Sequence, residues 1–124
     1  MKTVYIAGPM RGIREFNFPM FDDMRDYLES IGWDVISPAD LDRSIGFDPR
    51  SLPDDYDWND LKKIGFKLAD AVKRDADALC KCDAIAMLPG WENSKGAVAE
   101  RAIAMWLGLE VLYFNRNKKG NFAT

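Results

Sequence analysis

Hydrophobic positions along the chain alternate between short apolar runs and longer stretches at helical spacing. The short runs are rich in β-branched, aromatic and aliphatic residues, which predicts β-strands near 3–7, 33–37, 84–88 and 110–114. Between the first two runs, apolar residues recur every three or four positions from Phe18 to Ile31, and Gly32 follows them. That spacing predicts an amphipathic helix that ends at the glycine.

Two further helices follow from the same spacing. One extends from about Trp58 to Lys81, with a break near Gly65, and the other from Gly96 to Leu107, with Gly108 as its stop. In the first of these, a buried stripe is expected at Ala69, Val72, Ala76, Leu79 and Cys80. Strands and helices therefore alternate through most of the chain.

This alternation predicts a three-layer α/β fold with four parallel strands in the order 2-1-3-4. Residues 1–124 are expected to form one domain, because a chain of this length holds a single core. The order places a switch point between the first and third strands, where ligands bind beyond the carboxyl ends. Residues 40–57 show no sustained period and are either a lid or a plain crossing. The tail, 115–124, is expected to be loose.

The composition limits the kinds of binding partner and of catalytic group that we expect. A net charge of −3 and a pI of about 4.9 argue against nucleic-acid polymers and anionic membranes. No signal peptide and no long apolar run occurs, so we expect a cytoplasmic protein. The chain contains no histidine, which leaves acid/base chemistry to carboxylates, tyrosine or lysine. We expect no metal site, and no disulfide between Cys80 and Cys82.

Two carboxylates lie on apolar helix faces. The helical neighbours of Glu100 are Gly96, Ala97, Ile103 and Ala104, and those of Asp75 are Ala71, Val72, Ala78 and Leu79. By contrast, Asp77 has lysines and an arginine at helical spacing, as expected of a solvated ion pair. A carboxylate among apolar groups is disfavoured in its ionised form, which prepares an acid for chemistry. The alternative for Glu100 is a side chain that reaches the rim or a distant lysine.

The two loops at the expected switch point offer groups for anion binding. Gly8–Gly12, with the sequence GPMRG, supplies backbone N–H groups and Arg11 after a strand, which suits a phosphate or a sugar hydroxyl. It also suits a tight turn with a solvated arginine. Ser94 could be only the N-cap of its helix, Tyr5 only core, and Trp91 only packing.

Taken together, these motifs resemble the nucleoside 2-deoxyribosyltransferase superfamily. The resemblance lies in YIAGPMRG, in Asp75 and Asp83 before an apolar strand, and in SKGAVAE ending at Glu100. This superfamily includes the 2′-deoxynucleoside 5′-monophosphate N-hydrolases, and the chain is most similar to its small bacterial and phage members. The resemblance implies a flavodoxin-like fold, to which relatives commonly add a fifth strand. It also implies a homo-oligomer, a small nucleoside or nucleotide as the ligand, and no cofactor.

The resemblance further implies a catalytic set. By position, Glu100 matches the nucleophile, Tyr5 the tyrosine that orients it, and Asp75 the acid that acts on the base. The substrate-binding positions implied by the motifs are Gly8, Pro9, Met10, Arg11, Gly12, Gly90, Trp91, Ser94 and Gly96. Where the transferases carry an aspartate, this chain has Ser94, as do the nucleotide N-hydrolases. The resemblance therefore implies cleavage or transfer of the N-glycosidic bond of a (2′-deoxy)nucleoside 5′-monophosphate.

Three alternatives remain open from the sequence. The chain could be a transferase acting on free nucleosides, a nucleotide sensor that binds without turnover, or another glutamate-dependent glycosidase such as an NAD glycohydrolase. Base identity and the choice between deoxyribose and ribose are undetermined. Release of free base from a panel of nucleosides and nucleotides distinguishes these alternatives.

Overall fold

Residues 2–124 are described by the structure, a computed structural model, and their centre is a parallel four-stranded sheet. The strands are β1 (Thr3–Ala7), β2 (Asp34–Ile36), β3 (Ala84–Met87) and β4 (Glu110–Tyr113). Their order is β2-β1-β3-β4, and all three pairings are parallel. The predicted fold class and strand order are therefore confirmed. Within residues 2–124, no fifth strand joins this sheet.

Five α-helices cover the two faces of the sheet: α1 (Phe18–Ser30), α2 (Pro38–Ser44), α3 (Trp58–Lys63), α4 (Leu68–Cys80) and α5 (Lys95–Leu107). Successive side chains of β1 point to opposite faces of the sheet, so the core consists of two clusters. Val4 and Ile6 face the cluster that contains α1, whereas Tyr5 and Ala7 face the cluster that contains residues of α4 and α5. The side chain of Tyr5 is thereby directed toward the helix that carries Glu100.

Residues 40–57 are more regular than the sequence analysis predicted. Their first part belongs to α2, where the Ser37 hydroxyl accepts a hydrogen bond from the Ala39 N–H (3.3 Å) and Pro38 occupies the first turn. A short 3₁₀ turn at Pro49–Ser51 follows. Seven residues are too few to show a helical period, which is why the pattern missed α2.

The tail is also ordered, contrary to the prediction that it is loose. Strands β5 (Asn115–Arg116) and β6 (Phe122–Ala123) form an antiparallel hairpin. The hairpin is attached to the domain because Phe122 packs against Tyr27, and Arg116 pairs with Asp23 (2.8 Å). These contacts join residues far apart in sequence, so a local pattern does not reveal them.

The predicted break near Gly65 is confirmed, because it separates α3 from α4. The predicted buried stripe of α4 is largely wrong. The buried residues are Ala71, Ala78 and Leu79, whereas Ala69, Val72 and Cys80 are exposed. The reason is the orientation of the helix, which directs the Ala71–Asp75–Ala78 line inward. Asp77 forms the expected ion pair with Lys81 (3.0 Å). Cys80 and Cys82 are both free.

None of the helices in residues 2–124 has the length and apolar character needed to span a membrane.

Candidate active site

A cavity of about 370 Å³ lies beyond the carboxyl ends of β1 and β3, between α4 and α5. This is the switch point of the sheet, where ligands bind in open α/β folds. Of the site residues predicted from the sequence, the cavity is lined by Gly8, Pro9, Met10, Arg11, Asp75, Ser94, Gly96 and Glu100. The structure therefore brings together two loops and two helices that are far apart in sequence.

A tyrosine and a glutamate are in direct contact beside the cavity, although only the glutamate lines it. Tyr5 is fully buried on β1, and its hydroxyl donates a hydrogen bond to Glu100 Oε2. The small residues Ala97 and Ala104 are buried on the inner face of α5, which lets this helix approach the sheet closely. The predicted Tyr5–Glu100 contact is therefore present, and it fixes the orientation of the carboxylate.

Asp75 reaches the same cavity from α4. Its Oδ1 atom is shielded from solvent and has no hydrogen-bond partner among residues 2–124. A buried carboxylate oxygen without a partner is costly, so it suits a ligand that supplies the missing hydrogen bond. Asp75 thus offers an unused polar atom opposite Glu100.

Burial raises the pKa values of both carboxyl groups. Desolvation raises the pKa of Glu100 to about 8, with a further increase from the charge of Asp75, against the lowering effect of the Tyr5 hydrogen bond. Desolvation also raises the pKa of Asp75 to about 7, with a contribution from the charge of Asp42. For Tyr5, desolvation and then the charge of Glu100 raise the pKa well above its usual value. Near neutral pH the two carboxyl groups therefore share protons as a coupled pair.

The GPMRG loop is held in place from several directions. A Cβ atom on Gly8 would lie 2.7 Å from the Cβ atom of Leu88, so only glycine permits this approach to β3. Asn17 Nδ2 donates to the Pro9 carbonyl (2.8 Å), and Asn17 is the last of three consecutive non-glycine residues with positive φ. Such backbone strain is often found beside functional sites.

Residues Tyr56 and Trp58, around the start of α3, complete the support of this loop. The Tyr56 hydroxyl accepts from the Gly12 N–H (2.9 Å) and donates to the Ile13 carbonyl (2.9 Å). The Arg11 guanidinium lies 4.6 Å from the ring centroid of Trp58, a cation–π contact. The end of the irregular segment therefore positions the loop.

Ser94 has the capping role considered from the sequence and also faces the cavity. Its Oγ atom accepts from the Ala97 N–H (3.2 Å) at the N-terminus of α5. Since the oxygen is used as an acceptor, the hydroxyl hydrogen is free to be donated to a ligand. The first turn of α5 also directs unsatisfied N–H groups toward this end of the cavity.

Three predicted binding residues lie outside the cavity lining. Gly12 is bound to Tyr56, and Gly90 lies against Pro9, where an added Cβ would be 3.6 Å from the Pro9 Cγ. Trp91 packs instead against Tyr113 and Arg101, because the turn after β3 directs its ring toward β4. The predicted ligand contacts of these residues are therefore not supported by the structure.

The lining residues that sequence reasoning missed include two charged ones, Asp42 and Lys95. Lys95 could have been identified from the sequence, because it directly follows Ser94 at the start of α5. Asp42 is a buried carboxylate that pairs with Arg74 (Oδ1–Nη2, 2.9 Å), and no local pattern pointed to it. Within residues 2–124, no group of three or more candidate ligands is arranged to hold a metal ion.

Comparisons with known proteins agree with this fold. The family described as Domain of unknown function (DUF4406) matches residues 2–113. A 2-desoxiribosyltransferase from Leishmania mexicana has a similar structure (TM-score 0.61, 20% identity), with 94% of this chain and 66% of that chain covered. The Clostridium botulinum CMP N-glycosidase BcmB is also similar (TM-score 0.55, 21% identity), with 90% and 70% covered.

The chain thus spans about two thirds of the length of these two proteins. At such identities the likeness shows a shared fold. The fold that the sequence resemblance implied is therefore confirmed. A search of curated proteins finds no match to this sequence.

Proposed function

The chain belongs to the DUF4406 family, and we propose that it cleaves the N-glycosidic bond of a (2′-deoxy)nucleoside 5′-monophosphate to release the free base. The observation that carries this proposal is that Glu100, held by a hydrogen bond from Tyr5, lines the same cavity as the unpartnered Asp75 carboxylate. Two carboxyl groups in an apolar cavity are the chemical minimum for glycosidic cleavage. The two similar structures, a 2-desoxiribosyltransferase and a CMP N-glycosidase by name, support this class of reaction.

In the first step, ionised Glu100 attacks C1′ of the sugar through an oxocarbenium-like transition state. The C1′–N bond breaks, its electron pair goes to the base, and the proton of Asp75 neutralises the leaving base. Tyr5 donates to the attacking carboxylate and thereby fixes its orientation. The products of this step are a glycosyl ester on Glu100 and the free base.

In the second step, a water molecule discharges the ester. Asp75, now ionised, accepts a proton from that water, and the bond between the sugar and Glu100 breaks. If a second base replaces the water, the same intermediate yields a transferase. A transferase is distinguished from a hydrolase by transfer of the sugar to an added base.

The 5′-monophosphate preference rests on the other end of the cavity. Arg11, Ser94 and Lys95 line that end, and together they supply two cations and a hydroxyl donor. An aspartate in place of Ser94 would repel a phosphate dianion, whereas a hydroxyl donates to it. The N-terminus of α5 adds N–H groups. One of the two similar structures is named a CMP N-glycosidase, which is consistent with a nucleotide ligand.

We also propose a homo-oligomer. The last turn of α5 exposes Met105, Trp106 and Leu107, and Trp106 is 90% exposed. Apolar side chains grouped on one helix end are typical of an interface.

The expected cytoplasmic location stays a prediction.

The experiment that tests the function is an assay of base release by chromatography. The wild-type protein is incubated with deoxynucleosides, ribonucleosides, their 5′-monophosphates and NAD. Free base from a deoxynucleoside 5′-monophosphate supports the proposal. Tight binding without release indicates a sensor, nicotinamide release indicates an NAD glycohydrolase, and a preference for free nucleosides contradicts the phosphate assignment.

A further inference from the structure

Asp42 is a buried carboxylate in the cavity wall that the proposed mechanism does not use. It lies on α2, is 3% exposed, and lines the cavity together with Asp75 and Glu100. A buried carboxylate is rare in proteins unless it is paired, and its presence beside two other carboxylates calls for a role.

The partner of Asp42 is Arg74, which lies on the far side of the wall. Arg74 Nη2 is 2.9 Å from Asp42 Oδ1. Arg74 and Asp42 both line a second, smaller cavity of about 120 Å³, whereas only Asp42 also lines the large one. The large cavity is therefore in contact with the negative end of this ion pair, while the positive end is directed away from it.

We propose that Asp42 is a positioning residue that shifts the shared proton toward Asp75 and away from Glu100. This inference rests on the proposed function, because the productive arrangement there is ionised Glu100 with protonated Asp75. The negative charge of Asp42 disfavours ionisation of Asp75, which lines the same cavity. Because the pKa of Glu100 (about 8) exceeds that of Asp75 (about 7), the shared proton lies mainly on Glu100, and the charge of Asp42 raises the fraction of molecules in which it lies on Asp75.

The other charged or titratable groups around Asp75 come from several elements. They are Tyr5 on β1, Arg11 in the GPMRG loop, Arg74 on α4, and Lys95 and Glu100 on α5. The charge of Asp42 raises the pKa of Asp75, second to desolvation, while Arg74 lowers it. The ionised Asp75 in turn raises the pKa of Glu100. Geometry and charge therefore agree on the direction of the effect.

Loss of the Asp42 charge has two consequences, and both lower the pKa of Asp75. Asp75 no longer faces a negative neighbour, and the positive charge of Arg74 is no longer neutralised. Both changes favour the ionised form of Asp75, and the shared proton moves toward Glu100, where it blocks the nucleophile. We expect the pKa of Asp75 to fall by about one unit, which is a typical effect of one close charge. The productive arrangement then falls about tenfold.

The test measures Asp75 directly, in full-length protein that carries Glu100→Gln. This background removes the coupled partner, so Asp75 titrates as a single group. Its ¹³C carboxyl resonance is followed by NMR between pH 4 and 9 (roughly two units either side of the expected midpoint) and assigned with Asp75→Asn. Asp42→Asn and Asp42→Ser are then added separately, and each protein is checked for its native circular dichroism spectrum.

A fall of about one unit in the pKa of Asp75 in either Asp42 variant supports the proposal. An unchanged pKa in a folded Asp42 variant overturns it. Asp22→Asn is the matched control, because it breaks the Asp22–Arg43 ion pair between α1 and α2 (2.6 Å) outside the cavity. It should leave the titration of Asp75 unchanged.

A second measurement uses the wild-type background. Asp42→Asn should lower kcat for base release about tenfold, with KM little changed. A purely structural ion pair would lower stability without moving the titration of Asp75. Because the NMR measurement requires no substrate, it separates failure of this inference from failure of the proposed function, which would appear as absence of base release by the wild-type protein.

Discussion

The two ends of the cavity are built on different principles. The reaction end consists of Tyr5, Asp75 and Glu100, which project from a strand and two helices and are largely shielded from water. The anion end consists of the GPMRG loop and the first turn of α5, and here Arg11 is exposed and rests on Trp58. Burial raises the pKa values of the side chains at the reaction end, whereas exposed cations and N–H groups characterise the anion end.

This difference implies separate roles for the two ends. Helices and strands carry the reacting groups, which must be placed to within a fraction of an ångström, and loops carry the groups that bind the phosphate. Substitutions at the reaction end should therefore lower kcat, and substitutions at the anion end should raise KM for phosphorylated substrates alone. The first five of the six predictions below test these roles, and the sixth concerns the C-terminal end of α5; they run from the largest expected effect to the smallest.

Glu100→Gln should remove the nucleophile while preserving shape and hydrogen bonding to Tyr5. We expect normal folding and a loss of at least about a hundredfold in kcat, the scale for a group used in the transition state. Base release is measured by chromatography and folding by circular dichroism. Full activity in this variant would end the covalent mechanism.

Asp75→Asn should lower kcat about a hundredfold for natural bases, the lower end of the range for general acid catalysis. The loss should shrink for a substrate whose leaving group departs without a proton, whereas Glu100→Gln stays inactive on it. An equal loss on both kinds of substrate would mean that Asp75 does not act as the acid.

The pH dependence gives a further test of the same pair. With pKa values raised to about 8 and about 7, the pair holds one proton in its active form. Activity is lost at low pH, where both groups are protonated, and at high pH, where both are ionised. Asp75→Asn should abolish the alkaline loss, because the amide has no proton to lose there. An alkaline limb that persists would assign it to another group.

Tyr5→Phe should have a smaller effect. Glu100 keeps its place on α5 but loses its orienting hydrogen bond, and we expect about a tenfold fall in kcat. The pKa of Glu100 should rise further, because that hydrogen bond lowers it. The acidic limb of the rate profile should therefore move to higher pH. A limb that moves to lower pH would contradict the described contact.

Arg11→Ala tests the anion end. One charge-assisted hydrogen bond is worth enough to change kcat/KM about tenfold, and we expect that loss for the 5′-monophosphate only. The free nucleoside should react at an unchanged rate. Arg14→Ala is a suitable control, since Arg14 pairs with Asp54 at the surface (3.2 Å) outside the cavity. A phosphate preference that survives Arg11→Ala would show that this loop does not bind the phosphate.

The smallest effect concerns the last turn of α5. If Met105, Trp106 and Leu107 form an interface, the chain should be at least a dimer at micromolar concentration by light scattering. Trp106→Glu should then shift the equilibrium toward monomer without unfolding the protein. A wild-type monomer with full activity would contradict the proposed homo-oligomer.

Sequence patterns alone determined the sheet order and the break near Gly65, whereas the contact between Glu100 and Tyr5 was implied by the resemblance of the motifs to a known family. The first two features follow from local rules: periodicity defines each element, and β-α-β connections set parallel pairing. The apolar neighbours of Glu100 and Asp75 along their helices were equally visible. For this reason two carboxylates with raised pKa values could be identified before the fold was known.

Only the tertiary structure decided what surrounds these groups. Asp42 is 33 residues from Asp75 in sequence, and its place in the cavity wall depends on how α2 packs against α4. The displacement of Trp91 toward Tyr113, and the support of the GPMRG loop by Tyr56, likewise depend on packing between distant segments. Local periodicity describes one element at a time, whereas electrostatic environment is set by whichever elements meet in space.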